Sequence, residues 1–390
     1  MILIKNTEEE KNGLVIANFL YNIALYSFFT LFQLIFYRKD STLVYLSYFL
    51  VFFSIPKIFF SVYIGKLLSK YSLKKVLIIS NAFLSFSIFI LIIKQSIFLM
   101  ILITFFYSFF SQVYKISILS YISKNIEKKI FFKMNTILFS NEALGIMIGS
   151  FIGKNLSNDI LKYSVFNFLC YLTMFIIHIY FFKEEKYSKD LIEGKNYRVY
   201  FNKWQILNII IIFFISSILA LQGILLFPFL KEILKKSEEE ISTLMIIQGI
   251  GMIFTTIISK KIFFDNKIKG LYRVLMKTVF IVFLSMVFYI LFNSFYIVVL
   301  LFVFIEGVGI SIIYSSLYSL IQIINKKTVS QFFSILNTIE GVNYVSITLI
   351  TPILLKYINV KGMYYFIIFF YFILYLLIKY FLKNVHLKSK

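Results

Sequence analysis

A chain of 390 residues with 60% hydrophobic and only 15% charged side chains has too little polar surface to coat a soluble globule, which excludes a soluble enzyme. The formal charge of +22 would suggest a nucleic-acid partner in a soluble protein. Here the basic residues sit mostly in breaks between apolar segments, so they read as topology signals and no nucleic acid is expected. The single cysteine, Cys170, leaves no internal disulfide and no Cys-rich metal or redox site.

A bilayer core about 30 Å thick is crossed by roughly 20 apolar residues of helix, and such runs recur from Leu14 almost to the C-terminus. Glu8, Glu9 and Glu10 precede the first run, without a basic start or a small-residue cleavage site, so that run is expected to remain as a span. The first half is expected to cross near 14–36, 43–64, 76–93, 97–122, 134–153 and 164–182. Residues 183–203 mix four acids with six bases and read as a cytoplasmic linker. The second half follows with spans near 204–230, 241–258, 272–292, 295–322, 331–355 and 363–382. The expectation is an all-α polytopic membrane protein of about 12 spans, in two six-helix pseudo-symmetric halves, 1–182 and 204–390.

Lys and Arg concentrate at the two termini and in the breaks after spans 2, 4, 6, 8 and 10. Positive residues resist translocation, so both termini are expected on the cytoplasmic side of a cell membrane. Shifting span 5 by 202 residues lays Asn135-Thr136-Ile137 on Asn337-Thr338-Ile339, Asn141 on Asn343 and Lys154 on Lys356, which suggests an internal repeat. Two parallel repeats around a central site are one way of building a transporter.

The loop after span 2 reads Gly65-Lys-Leu-Leu-Ser69-Lys70-Tyr-Ser72-Leu-Lys74-Lys75. It resembles the Gly-x-x-x-Asp-Arg-x-Gly-x-Arg-Lys signature of the major facilitator superfamily (MFS) at this position. Gly65, Lys70, Lys74 and Lys75 match by type and spacing, while Ser69 stands for the acid and Ser72 for the second glycine. The resemblance implies that the lysines latch a cytoplasmic gate, a latch weakened here by loss of the acid; an ordinary positive-inside loop is the other reading. Span 5 places Gly145, Gly149 and Gly153 on one face. This is similar to the glycine motif of facilitator antiporters, with Ser150 at its proline position and Lys154 at its last glycine, and plain helix packing is the alternative. The overall pattern looks most like the bacterial drug or macrolide efflux branch.

An ionisable side chain near the bilayer centre costs about 2.5 to 3.5 kcal/mol, so each one requires a partner, water or a function. Glu142 in span 5, Glu306 in span 10 and Glu340 in span 11 are such acids, and Lys57 in span 2 and Lys115 in span 4 such bases. Lys277 and His178 lie close enough to the inner face to snorkel. At about 1.5 Å per residue, Lys115 and Glu142 share a depth, and Lys57 and Glu340 share another, which would let the latter pair bridge the two halves. Glu306 has no basic partner at its depth in its own half. It is the first candidate for proton coupling and Glu142 the second, set against a buried acid that merely ties helices together. Asn18, Asn22 and Gln222 are candidates for lining a cavity beside Phe and Tyr, or for joining helices.

These features point to a secondary transporter and not to an enzyme: two histidines and short outer loops supply no cluster of catalytic groups. A small, amphipathic substrate, protons as coupling ion, a monomer in the lipid bilayer, and no cofactor or metal are expected. A polysaccharide-lipid flippase is the rival within transport, and an intramembrane transferase the rival from another class.

Overall fold

The structure, a computed structural model, describes residues 8–39, 44–93, 96–182, 203–236, 240–262, 268–292, 294–324 and 328–387. Among these residues all regular structure is helical. A chain with three prolines and long apolar runs has one way to satisfy its backbone in lipid, which is to pair each amide within its own helix. The helices are α1 Glu8–Lys39, α2 Val44–Phe59, α3 Ser61–Leu68, α4 Leu73–Ile93, α5 Ile97–Asn125, α6 Phe131–Asn155 and α7 Ile160–Phe181. They continue with α8 Lys203–Pro228, α9 Glu240–Ile262, α10 Ile268–Leu291, α11 Tyr296–Ile324, α12 Val329–Leu354 and α13 Val360–Leu387. The expected linker, 183–203, lies outside the described residues except for Lys203, which opens α8.

Ten of these helices are long and apolar enough to cross a membrane, and α2 with α3 makes an eleventh as a bent pair. The span expected over 43–64 is therefore broken: its axis turns by 45° between Phe59 and Ser61, one turn after Pro56. Proline has no amide hydrogen and crowds the carbonyl of the preceding turn, which is a sufficient cause of the bend. The span expected over 241–258 is α9, whose apolar stretch is the shorter Thr243–Ser259. Pro228 ends α8, and the chain passes into one π-helical turn, Phe229–Ile233. At the start of α7, Asp159 caps the helix by accepting from the Lys162 amide at 3.0 Å and pairs with the Lys162 ammonium at 2.8 Å. Those contacts, the ammonium first, hold the Asp159 carboxyl below its ordinary range.

Large apolar side chains stand exposed along the helices, among them Phe86 and Phe89 on α4, Leu169 on α7, Ile281 on α10 and Phe369 on α13. A water-soluble protein does not present so much contiguous apolar surface; these faces suit lipid. A cavity of about 420 Å³ between α4 and α7, walled by Phe86, Phe89, Phe168 and Phe175, opens on such a face.

The chain forms two compact units. The first holds 1–127, 144–200 and 325–341, and the second 128–143, 201–324 and 342–390. Most of each unit comes from one half of the sequence, but α6 begins in the second unit and ends in the first, and α12 begins in the first and ends in the second. In the first unit the packed pairs include α1 with α7, α4 with α7, α4 with α5, and α2 with α5. In the second they include α8 with α13, α10 with α13, α10 with α11, and α9 with α11. The second set repeats the first, so the helix contacts of the two units are symmetric.

Gly145, Gly149 and Gly153 all face α1. A Cβ on Gly145 would lie 2.5 Å from Asn22 Cβ, one on Gly149 2.6 Å from the Ile23 carbonyl oxygen, and one on Gly153 2.5 Å from that of Ser27. The two backbones meet because these positions carry no side chain. Gly149→Ile is expected to force α6 from α1 and destabilise the protein by about 1–3 kcal/mol. Thermal unfolding in detergent reads this directly, and an unchanged melting temperature would refute it.

Candidate functional site

Two sets of ionisable groups lie inside the helices, one in each unit. In the first, Lys57 on α2 donates to Glu340 Oε2 on α12 at 3.0 Å, with 24% and 10% of the two side chains exposed. Lys115 on α5 is near enough to act on the same carboxylate. One turn before Glu340, Asn337 Nδ2 donates to Gln112 Oε1 at 3.0 Å. Gln112 and Lys115 are three residues apart on α5, and Asn337 and Glu340 three apart on α12, so each pair presents one helix face. Glycines allow this approach from both sides. A Cβ on Gly341 would lie 3.2 Å from Lys57 Cγ, and one on Gly65 2.9 Å from the Ser330 carbonyl oxygen.

In the second unit Glu306 on α11 is buried, and Gln222 Nε2 on α8 donates to its Oε1 at 2.6 Å. Sequence reasoning placed Gln222 among cavity-lining residues; the structure places its amide on this carboxyl. Gln222 Oε1 is buried without a partner among the described residues. Tyr289, Tyr364 and Tyr371 lie close enough to feel the Glu306 charge, and Phe229 stacks on Tyr289 at 4.7 Å. Among the described residues no Lys or Arg forms an ion pair with Glu306. Two glycines thin α11 here, and Gly251 of α9 packs against it, its Cβ position 3.1 Å from the Val308 amide nitrogen.

The remaining sequence candidates fall as follows. Glu142 is half-buried on α6. Asn18 and Asn22 are buried in the first unit, where Asn22 Nδ2 donates to the Asn18 carbonyl at 2.9 Å. After α3, Ser69 turns back on the Lys66 carbonyl at 2.6 Å, and Lys74, in the first turn of α4, donates from Nζ to the Ile179 carbonyl at 2.8 Å, at the negative end of α7. Lys70 and Lys75 are exposed, as is Lys277. His178 departs from the snorkelling expected of it. It is fully buried, with Nδ1 2.5 Å from the Met174 carbonyl oxygen and 3.1 Å from the Asn81 amide, because α4 and α7 pack over it.

Sequence reasoning did not foresee the carboxamide pairs, although the 202-residue shift marked their asparagines. Asn135 Nδ2 donates to Ser319 Oγ and Gln322 Oε1, each at 2.9 Å, in the second unit, as Asn337 meets Gln112 in the first. Asn343 donates to Ser216 Oγ at 2.8 Å and to the Phe213 carbonyl at 3.0 Å. No group of three or more His, Cys, Asp or Glu that could hold a metal ion occurs among the described residues.

Many apolar helices, matched packing in two units and ionisable groups held inside them define a multi-pass membrane transporter. The sequence model of the Major Facilitator Superfamily matches residues 14–323, and the chain belongs to that superfamily, which places it with transporters and not with enzymes. No protein of curated function matches the sequence. The fold is similar to that of the human organic anion transporter MFSD10 (TETRAN), with a TM-score of 0.77 and 10% identity, covering 95% of this chain and 100% of that one. It is also similar to a bacterial homologue of the iron transporter ferroportin in an outward-facing state, with a TM-score of 0.68 and 14% identity, covering 98% and 100%. The same homologue soaked with iron gives a TM-score of 0.68 at 13% identity, covering 96% and 98%. At these identities the likeness concerns the fold.

Proposed function

We propose that this chain exports a small amphipathic molecule in exchange for protons, by alternating access, as a twelve-span monomer of the cell membrane with both termini in the cytoplasm. The observation that carries the coupling is Glu306, a buried carboxyl whose hydrogen-bond partner is the neutral amide of Gln222. A carboxyl without a fixed cation can be neutral when dry and ionised when water reaches it, and so can carry a proton between the two sides. The aromatic surroundings of Glu306 and the efflux-type resemblance of the loop and glycine motifs support an amphipathic substrate. Lys57 and Glu340 act as the closing pair of the cytoplasmic gate, formed when α12 lies on α2 and parted when it leaves. Ser69 bonds to its own helix, which supports a gate held by this ion pair more than by the loop.

The test is transport in proteoliposomes of purified protein over a panel of amphipathic cations, anions and neutral compounds, with and without an imposed proton gradient. A gradient-dependent extrusion of at least one compound is expected. Transport indifferent to the gradient would end the antiport reading, and movement confined to lipid-linked sugars would replace it with a flippase.

A further inference from the structure

The first unit contains a second polar system, separate from the charges above. Tyr107, Tyr114 and Tyr121 recur every seven residues on α5, and Tyr163, Tyr171 and His178 follow a similar spacing on α7. All six are fully buried or nearly so. Seven residues are two turns, so each set forms one stripe; α1 packs on α7, its Tyr21 reaches Ser111 on α5, and both stripes are buried.

The polar groups on these stripes meet as cross-helix contacts, in order along the unit. Where α1 begins and α5 ends, Tyr121 donates to the buried Glu10 carboxylate. Next comes His178, which meets the Tyr114 ring edge-on at 5.8 Å. Tyr21 stacks on Tyr114 at 4.2 Å and its hydroxyl bonds Ser111 Oγ at 2.5 Å. Tyr107 and Tyr171 then join hydroxyl to hydroxyl, and Asn167 Nδ2 donates to Ser27 Oγ at 3.1 Å, one turn from Tyr163 at the far end. The Met174 carbonyl can only accept, so the hydrogen of His178 lies on Nδ1, the tautomer in which the Asn81 carboxamide turns its oxygen to that nitrogen and Nε2 is an acceptor. Lys74 is the charged group that acts on this imidazole.

Between these contacts are buried polar atoms with no partner among the described residues: Glu10 Oε2, His178 Nε2, Tyr114 Oη and Ser164 Oγ. Hydrocarbon cannot satisfy them, and buried polar atoms left without a protein partner are the sites that internal water occupies. Successive tyrosines on α5 are about 10 Å apart along the axis, a gap that two or three waters at hydrogen-bond spacing of about 2.8 Å would fill.

We propose that the interior of the first unit is a hydrated proton relay, running from Glu10 through Tyr121, His178, Tyr114 and Tyr107 to Tyr163, with water completing the contacts. Each hydroxyl or water accepts a proton on one side and releases another on the other, so the file is left with its original charge after each passage. Phenols remain neutral throughout. The residues of the relay all belong to the first unit, and Glu306 to the second.

Tyr114→Phe is the decisive variant, because that hydroxyl bonds no described protein atom and its loss breaks no protein hydrogen bond. The protein is reconstituted in liposomes without substrate, a potassium diffusion potential is set with valinomycin, and internal pH is followed with pyranine. Wild-type liposomes are expected to acidify faster than protein-free ones, and Tyr114→Phe to slow the added flux by about tenfold, equal to about 1.4 kcal/mol on the barrier. Glu10→Gln is expected to act in the same direction. The melting temperature is the second readout: a hydrated file predicts that Tyr114→Phe lowers it, and a dry core that it is unchanged or raised. Wild-type flux equal to that of empty liposomes, or Tyr114→Phe flux equal to wild type, would overturn the relay.

Discussion

Lys57→Glu is expected to abolish transport and to lower the melting temperature sharply, because it sets two carboxylates against each other at the α2–α12 contact. Removing one partner of a buried ion pair costs about 3–5 kcal/mol, and the partial exposure of Lys57 puts this case at the lower end. Reversing both residues, Lys57→Glu with Glu340→Lys, is expected to regain part of the loss, with a coupling of about 0.5–3 kcal/mol for residues in direct contact. Recovery is incomplete for a structural reason. Lys115 also acts on position 340, so a lysine placed there meets a like charge, and adding Lys115→Gln to the reversed pair should restore more. The checks are thermal unfolding and liposome transport of the singles, the double and the triple. If the single reversals and the double behave alike, the pair has no coupling and its role as a gate is lost.

The second large effect concerns Glu306. Glu306→Gln is expected to leave a folded protein that exchanges substrate across the membrane but no longer accumulates it against a gradient when protons are supplied. The replacement keeps the shape and a hydrogen bond to Gln222, and removes only the group that takes up and releases a proton. Gln222→Leu tests the same site from its other side. It leaves the buried carboxyl without its amide donor, at a cost of about 1–3 kcal/mol, and should weaken both stability and coupling. Counterflow and gradient-driven uptake, measured on the same liposomes, separate exchange from accumulation. A Glu306→Gln protein that still concentrates substrate in response to a proton gradient removes this residue from the mechanism.

The apolar runs were legible because hydrocarbon imposes one local solution, a helix about as long as the bilayer is thick. The break at Phe60 was not, although Pro56 was visible, because a proline does not say how far a helix will turn. Depth counting along α2 and α12 brought Lys57 and Glu340 to the same level, and the structure sets them 3.0 Å apart. The same counting could not find the Gln222 amide on Glu306, since neutral donors leave no charge pattern to match. His178 was misjudged for a related reason. A histidine near a helix end snorkels only if its face is free, and here α4 covers it. The seven-residue tyrosine register on α5 stood in the sequence throughout, but among 28 tyrosines it marks nothing until α1 and α7 are seen to answer it.

The passage of α12 from one unit to the other bears on how the protein is made. The first unit takes its last piece, 325–341, from near the C-terminal end of the chain. Until that stretch has been synthesised, Lys57 has no Glu340 and Gln112 no Asn337, and the ribosome has released most of the polypeptide before either is matched. A lone charge at membrane depth costs about 2.5–3.5 kcal/mol, so the early spans are inserted in an unfinished, less stable arrangement. Biogenesis is therefore closed by a late segment stitching together what was threaded first, and a fragment ending before α12 would enter the bilayer without settling there.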